Sequence, residues 1–237
     1  GGNSQYGTAI VGTVSGTSIS FGSPSVFNSA ATTEMDVAFD VNAGRFVIVY
    51  KDANSSFQGR ANVATISGTS VSFGSQATLE NAVITAPSGV YDANAQKTVF
   101  AYYNGSASVA AVGTISGTDV SFGTSVQFSA SNSTYQAIAY DSTAQKVVIA
   151  FTDSTNSNYP SAIVGTVSGT SISFGSAQSI ESVVGAPIAI TYDSGNGKHI
   201  VVYREMGSSP YGMHGAVGTV SGTSISFGTA VENSGAT

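Results

Sequence analysis

The sequence predicts an all-β protein, a β-propeller of four-stranded blades, five-bladed with one reduced or split blade. Three observations predict it. First, the segment 12–22 (GTVSGTSISFG) recurs in near-copies ending at Gly74, Gly123, Gly175 and Gly228. The phenylalanines Phe21, Phe73, Phe122, Phe174 and Phe227 follow one another at steps of 52, 49, 52 and 53 residues. A fixed period near 50 marks a repeat architecture. Second, another hairpin alternates with the first: Asp40–Arg45, Asp92–Lys97, Asp141–Lys146 and Asp193–Lys198, each preceded by an aromatic, Phe39, Tyr91, Tyr140 or Tyr192. Third, no stretch has helical periodicity.

Each unit reads as four strands. Strand one, as in 136–140 (QAIAY), carries Ala137 and Ala139 on one face, as crowding near a central axis demands. The turn after it is capped by its Asp, which accepts backbone N–H groups, while Asn or Gly tolerates positive φ. Strand two, as in 146–151 (KVVIAF) or 46–50 (FVIVY), is continuously apolar and so suits burial on both faces. Strand three, as in 162–167 (AIVGTV), leads to the Ser-Gly-Thr turn. Strand four, as in 171–174 (SISF), alternates apolar with Ser and reads as half-exposed. Its five phenylalanines are expected to be mostly buried between blades, with the end copies Phe21 and Phe227 more exposed if their blades are incomplete.

Four antiparallel strands graded from buried to half-exposed describe a propeller blade. A β-solenoid usually has shorter coils, and stacked sandwiches would give identical units different neighbours. The chain reads as one repeat domain, 1–237: a half blade at 1–23, blades at 24–75, 76–124, 125–176 and 177–229, and a tail at 230–237. The count is uneven, since the half blade has strands three and four without one and two. The missing inner pair is truncated, supplied by another chain, or replaced by a reduced blade. Residues 8–22 contain no Pro, Lys or Arg to blunt an open edge. That hairpin is therefore expected to pair with 229–237, to stand as a two-stranded blade, or to join a second chain, with monomeric closure favoured.

Composition narrows function. Net charge is −6 with seven Lys plus Arg, which leaves no basic patch for nucleic acid. No apolar stretch is long enough to insert into a membrane as a helix, and no secretory leader is legible. Cysteine is absent, so disulfides and thiolate metal sites are excluded. The Ser/Thr/Asn-rich, lysine-poor surface suits an extracellular or virion-surface protein.

No catalytic pattern stands out. His199 and His214 do not recur among the units, and a metal site would need clustered ligands. Glu34, Asp36, Glu80, Glu181 and Glu205 share no register that would pair two carboxylates for glycoside hydrolysis. Asp153–Asn156 lacks the ligand density for calcium. We therefore expect no enzyme activity, no cofactor and no metal. The loops are more informative. The turns after strands one and three are short and nearly identical. The loops on the other face, 51–60, 103–109, 152–161 and 204–215 with 24–34, 76–86, 126–134 and 177–186, are longer and divergent. Repeats that agree in scaffold and differ on one face usually differ where partners bind. That face carries Tyr6, Phe57, Tyr103, Tyr159 and Tyr211, beside Asp52, Asn104, Asp153 and Glu205. Aromatics next to amides and carboxylates suit sugars, by stacking and by hydrogen bonds to hydroxyls. The plainer reading makes the aromatics gap fillers and the acids turn caps.

Segments 162–175 (AIVGTVSGTSISFG) and 139–150 (AYDSTAQKVVIA) resemble a family of tandem repeats in proteins of marine bacteria and their phages. The resemblance implies a propeller-like domain of tail fibres or surface proteins and assigns neither activity nor site residues. In size the chain is also similar to five-bladed lectins of the tachylectin-2 type, but those depend on tryptophan and this chain has none. The expected function is a non-enzymatic module that recognises glycans or a cell-surface receptor through the variable loops. The alternative is a structural or assembly component of a virion, tail fibre or filament, with possible self-association through the half blade.

Overall fold

The computed structural model describes residues 4–130, 132–133, 135–207 and 211–233. Apart from a 3-10 turn at Ala53–Ser55, its regular structure is all β. The strands are β1 (Tyr6–Ala9), β2 (Gly12–Ser15), β3 (Ser18–Phe21), β4 (Ser25–Asp40), β5 (Arg45–Asp52), β6 (Gln58–Ser67), β7 (Ser70–Phe73) and β8 (Ala77–Val83). Next come β9 (Thr85–Asp92), β10 (Lys97–Tyr103), β11 (Ser108–Ser116), β12 (Asp119–Phe122) and β13 (Val126–Ser129). Then follow β14 (Gln136–Asp141), β15 (Lys146–Asp153), β16 (Tyr159–Ser168), β17 (Ser171–Phe174) and β18 (Gln178–Ser179). The last are β19 (Gly185–Asp193), β20 (Lys198–Glu205), β21 (Met213–Ser221), β22 (Ser224–Phe227) and β23 (Val231–Asn233). They form four antiparallel meanders, β4–β7, β9–β12, β14–β17 and β19–β22, with β2–β3 as a separate two-stranded sheet.

The repeated turns set this pattern. In all four inner hairpins the Asp side chain accepts backbone N–H bonds: Asp40 from Ala43 at 2.8 Å, Asp92 from Ala95 at 2.9 Å, Asp141 from Ala144 at 2.8 Å and Asp193 from Gly195 at 2.9 Å. Each Asp pairs across the ladder with its basic residue, as Asp141 does with Lys146. The outer hairpins close in two residues, Ser15 opposite Ser18 and Ser67 opposite Ser70, with φ near +60° at Gly16 and +58° at Gly68. Glycine is the residue that reaches that region without strain.

The sheets stack face to face. Val47 and Val49 of β5 meet Phe100 and Tyr102 of β10 in one core. Val99 and Ala101 meet Ile149 and Phe151 in the next, and Ala150 meets Val201 and Tyr203 in the third. Residues 47, 49, 99 and 149 are fully buried. Each such Val or Ile contributes about 2 kcal/mol, so the second strands hold the stack together. The first strands line up along one side, β4 on β9, β9 on β14 and β14 on β19. Asp36 accepts the Gly89 N–H at 2.7 Å between the first two.

One expectation is corrected and two are resolved. The stretches 24–34, 76–86 and 126–134, with part of 177–186, are not simple loops: from Ser25 on the first belongs to β4, which pairs with β1, and β8, β13 and β18 each pair with the end of a third strand that the fourth strand leaves free, as Gly59 with Glu80 and Ala162 with Gln178. The third strand runs past the short fourth strand, so its remaining edge needs a partner. Of the routes open to the hairpin at 8–22, the described residues show the two-stranded unit: β2–β3 forms its own sheet, and β23 pairs with β21. The internal repeat phenylalanines are largely covered and pack against the cores between sheets, and the end copy Phe21 is the exposed one. Phe73, Phe122, Phe174 and Phe227 are half-buried and Phe21 is 62% exposed. The fully sheltered residue of strand four is the one two places earlier, Val120, Ile172 or Ile225.

The two end sheets have one open face each. In β20 burial alternates residue by residue, with Val201 and Tyr203 buried and Ile200 and Val202 exposed, whereas β15 is buried on both faces. At the other end a cavity of about 440 Å³ lies between β1–β2 and the first sheet, lined by Ile10, Val11, Met35, Val37, Ile48 and Ile66.

Candidate functional site

The divergent face is built where strand two ends and strand three begins. In the first unit Asp52 ends β5, 2% exposed. Its carboxylate accepts from Asn54 N (3.1 Å), Ser55 Oγ (2.9 Å) and Asn28 Nδ2 (2.9 Å). That cap drives Ser56 and Phe57 into positive φ, 56° and 64°. In the third unit Asp153 accepts from Thr155 N (3.0 Å) and Oγ1 (2.6 Å), and Ser157 and Asn158 take φ of 58° and 59°. Asn104 accepts from the N–H groups of Ser106 (3.1 Å) and Ala107 (3.0 Å), and Glu205 from Gly207 N (2.8 Å). The four polar candidates thus face inward and brace their turns.

The aromatic candidates fall into three registers, with Tyr103 the last residue of strand two, β10. Tyr6 and Tyr159 are the first residues of strand three, whereas Phe57 and Tyr211 precede it. Phe57 and Tyr211 are 49% and 52% exposed and Tyr6 is 38% exposed, while Tyr103 and Tyr159 are half-buried. Each of the two most exposed rings carries a cation over its face: Lys51 Nζ lies 5.8 Å from the Phe57 centroid and Arg204 Cζ 4.8 Å from that of Tyr211. Lys51 and Arg204 stand just before Asp52 and Glu205, at the same repeat position. Lys51 is fixed by Glu34 at 2.8 Å.

Sequence reasoning missed two features of this face. A cavity of about 240 Å³ opens between the third and fourth units, with Ser133, Tyr135, Thr152, Ser154 and Asn158 on one side and Met206 on the other. Tyr135 is 46% exposed there. Nothing in the repeat pattern marks it, because the segment before β14 has no counterpart of the same length. The second feature is a polar cluster in which Glu181 accepts from the Tyr203 hydroxyl at 2.6 Å and stands 2.8 Å from His214 Nδ1. The spacing was a usable signal, since Glu181 follows Phe174 by seven residues, as Glu80 follows Phe73. Among the described residues no three His, Asp or Glu side chains are placed to hold a metal ion.

No family model matches the chain, and no curated protein does. Among solved structures, two of exo-β-1,3-galactanase variants from Phanerochaete chrysosporium with β-1,3-galactotriose are similar to it. The first has a TM-score of 0.48 and 12% identity, covering 80% of this chain and 47% of that one. The second has a TM-score of 0.49 and 11% identity, covering 85% and 54%. The chain thus spans about half the length of the structures it matches. Similarity at that level leaves the functional reading to this chain's own residues.

Proposed function

We propose that the chain is a propeller-type repeat module, its stacked sheets acting as blades, that binds glycans without enzymatic activity on an extracellular or virion surface. The observation that carries this reading is the pair of exposed rings Phe57 and Tyr211, each on a capped turn with a cation over its face. An exposed aromatic held on a stiff turn stacks against the apolar face of a sugar at little cost in ordering. The cation offers hydrogen bonds to sugar hydroxyls, and the 240 Å³ cavity on the same face, lined by Tyr135, Asn158 and Met206, gives room for a sugar ring. Asp52, Asp153 and Glu205 are engaged as turn caps, which suits a scaffold role better than acid–base chemistry. A protein receptor read through the same rings is the same surface with a different ligand.

A second reading, a structural or assembly component, is favoured by the open apolar faces of the two end units. A glycan array with wild type and the Phe57→Ala/Tyr211→Ala double variant tests the first reading. Binding to a set of glycans that the double variant loses, with its melting temperature unchanged, is expected. Silence of the wild type across the array, or binding unaltered in the double variant, overturns it.

A further inference from the structure

Every internal boundary between units carries the same contact. A methyl group on Gly22, Gly74, Gly123 or Gly175 would lie 1.7–1.9 Å from the carbonyl oxygen of Thr69, Thr118, Thr170 or Thr223 in the next Ser-Gly-Thr turn. These four residues are glycine because a neighbouring hairpin fills the space of a side chain. Gly228 holds the same place in the last repeat, yet its nearest neighbour is the carbonyl of Val217 in its own hairpin, at 4.0 Å. Its φ is not positive, so nothing among the described residues requires glycine there. At the opposite end Thr17 occupies the matching turn position, and no described glycine meets it.

The surrounding surfaces are complementary in the same sense. Where the third unit meets the fourth, Val220, Ile225 and Phe227 cover Val148, Ala162 and Val164. The first hairpin presents the equivalent residues Val14, Ile19 and Phe21 uncovered, at 72%, 55% and 62% exposure. The fourth sheet presents Ile200, Val202 and Val217 uncovered, at 40%, 38% and 50%. They are the equivalents of Val148, Ala150 and Val164, each fully buried.

We propose that a second copy of this chain docks head to tail on the first. Hairpin β2–β3 of one copy seats on the open face of the fourth sheet of another, with Thr17 against Gly228, and so repeats the internal boundary between chains. Such a contact joins two different surfaces. Each copy therefore keeps one free end of each kind, and association continues past the dimer unless a ring closes.

Sedimentation velocity over a wide concentration range tests this with three proteins: wild type, Gly228→Val and Ile19→Asp. Wild type is expected to grow in mass with concentration beyond a dimer. Each variant alone is expected to lose association at least tenfold while keeping the melting temperature of dilute wild type. Mixed together, they are expected to form a one-to-one dimer that grows no further, since Gly228→Val retains the hairpin and Ile19→Asp retains the sheet face. Val217→Lys and Phe21→Lys address the same two surfaces if either first choice folds poorly by circular dichroism. A wild type that stays monomeric throughout overturns the proposal, as does a mixture that fails to dimerise. A Gly228→Val monomer that melts earlier than wild type also overturns it, by showing that the hairpin closes on its own chain.

Discussion

The Tyr203 hydroxyl donates a 2.6 Å hydrogen bond to the Glu181 carboxylate, joining the second strand of the fourth sheet to the segment that enters it. The same repeat positions vary together within the chain. In the second unit Tyr102 reaches Glu80 at 3.2 Å, and Ser125 donates to the same oxygen at 2.9 Å. In the third unit both partners are gone, replaced by Phe151 and Ser129. In the first, Asn28 stands at the acid's place, and Tyr50 donates instead to Asn62 at 2.7 Å. Burial raises the pKa of all three phenols above the ordinary tyrosine value, that of Tyr50 to about 12. In each of these three units the fold supplies the buried phenol with an acceptor.

That coupling predicts non-additive substitutions. Tyr203→Phe alone should cost about 1–2 kcal/mol, since it removes a hydrogen bond to a carboxylate. The pair Tyr203→Phe with Glu181→Ser, which recreates the third unit's combination, should cost less than the sum of the two singles. Denaturant titration of the four proteins measures this. Additive losses would show that the two side chains do not act together.

The hairpin-to-hairpin contact predicts intolerance of a single methyl group. Gly123→Ala forces a Cβ onto the Thr170 carbonyl, 1.9 Å away as the backbones stand. The expected loss is about 2–3 kcal/mol or more, as for an overpacked site where backbone must shift. An unchanged denaturant midpoint would show that the two hairpins do not touch.

His199 predicts an acid-sensitive term. The ring is fully buried, with Nε2 3.3 Å from Asp141 and Tyr192 packed beside it. Burial lowers its pKa below the ordinary 6.5, and Asp141 opposes that shift only in part. The unfolded chain therefore takes up its proton at higher pH than the fold does. The associated stability is fully present above about pH 6.5 and falls as pH drops below it toward the folded value. His199→Val copies Val147, the third unit's residue at this position. It should flatten the change in melting temperature between pH 7 and pH 5 (about two units across the window). A variant with the same pH dependence as wild type would place the acid-sensitive group elsewhere.

The sequence made the turns and the strand order legible because both rest on local signals: the Asp cap with its partner five residues on, the Gly at the first turn position and the apolar second strand. Burial was less legible. Ile19 and Ile225 sit in nearly identical local sequence, yet one is 55% exposed and the other 4%, because only the second has a sheet behind it. The short strands β8, β13, β18 and β23 were hidden because their sequences diverge and pairing with a long third strand defines them. At the candidate site the spacing of Asp52, Asp153 and Glu205 was visible. What it could not show is that Asn28, 24 residues earlier, would bond Asp52. The partial exposure of Phe122 bears on the cost of truncating it. Phe122 is half-buried and packs edge-on against Phe100 at 6.2 Å. Phe122→Ala should cost about 1–2 kcal/mol, below the ~3–5 kcal/mol of a fully buried ring. A measured loss above that would mean the ring is better covered than its exposure indicates.

The central claim is that the divergent turns, and not the uniform ones, form the binding face. Backbone amide NMR shifts, recorded while titrating the glycan that binds best on an array, test it most directly. The account predicts shifts at residues 53–58, 132–135, 154–158 and 205–215 that saturate with ligand, and none at the opposite turns 40–45, 92–97, 141–146 and 193–198. Saturable shifts confined to those opposite turns, or none anywhere at millimolar glycan, would contradict it.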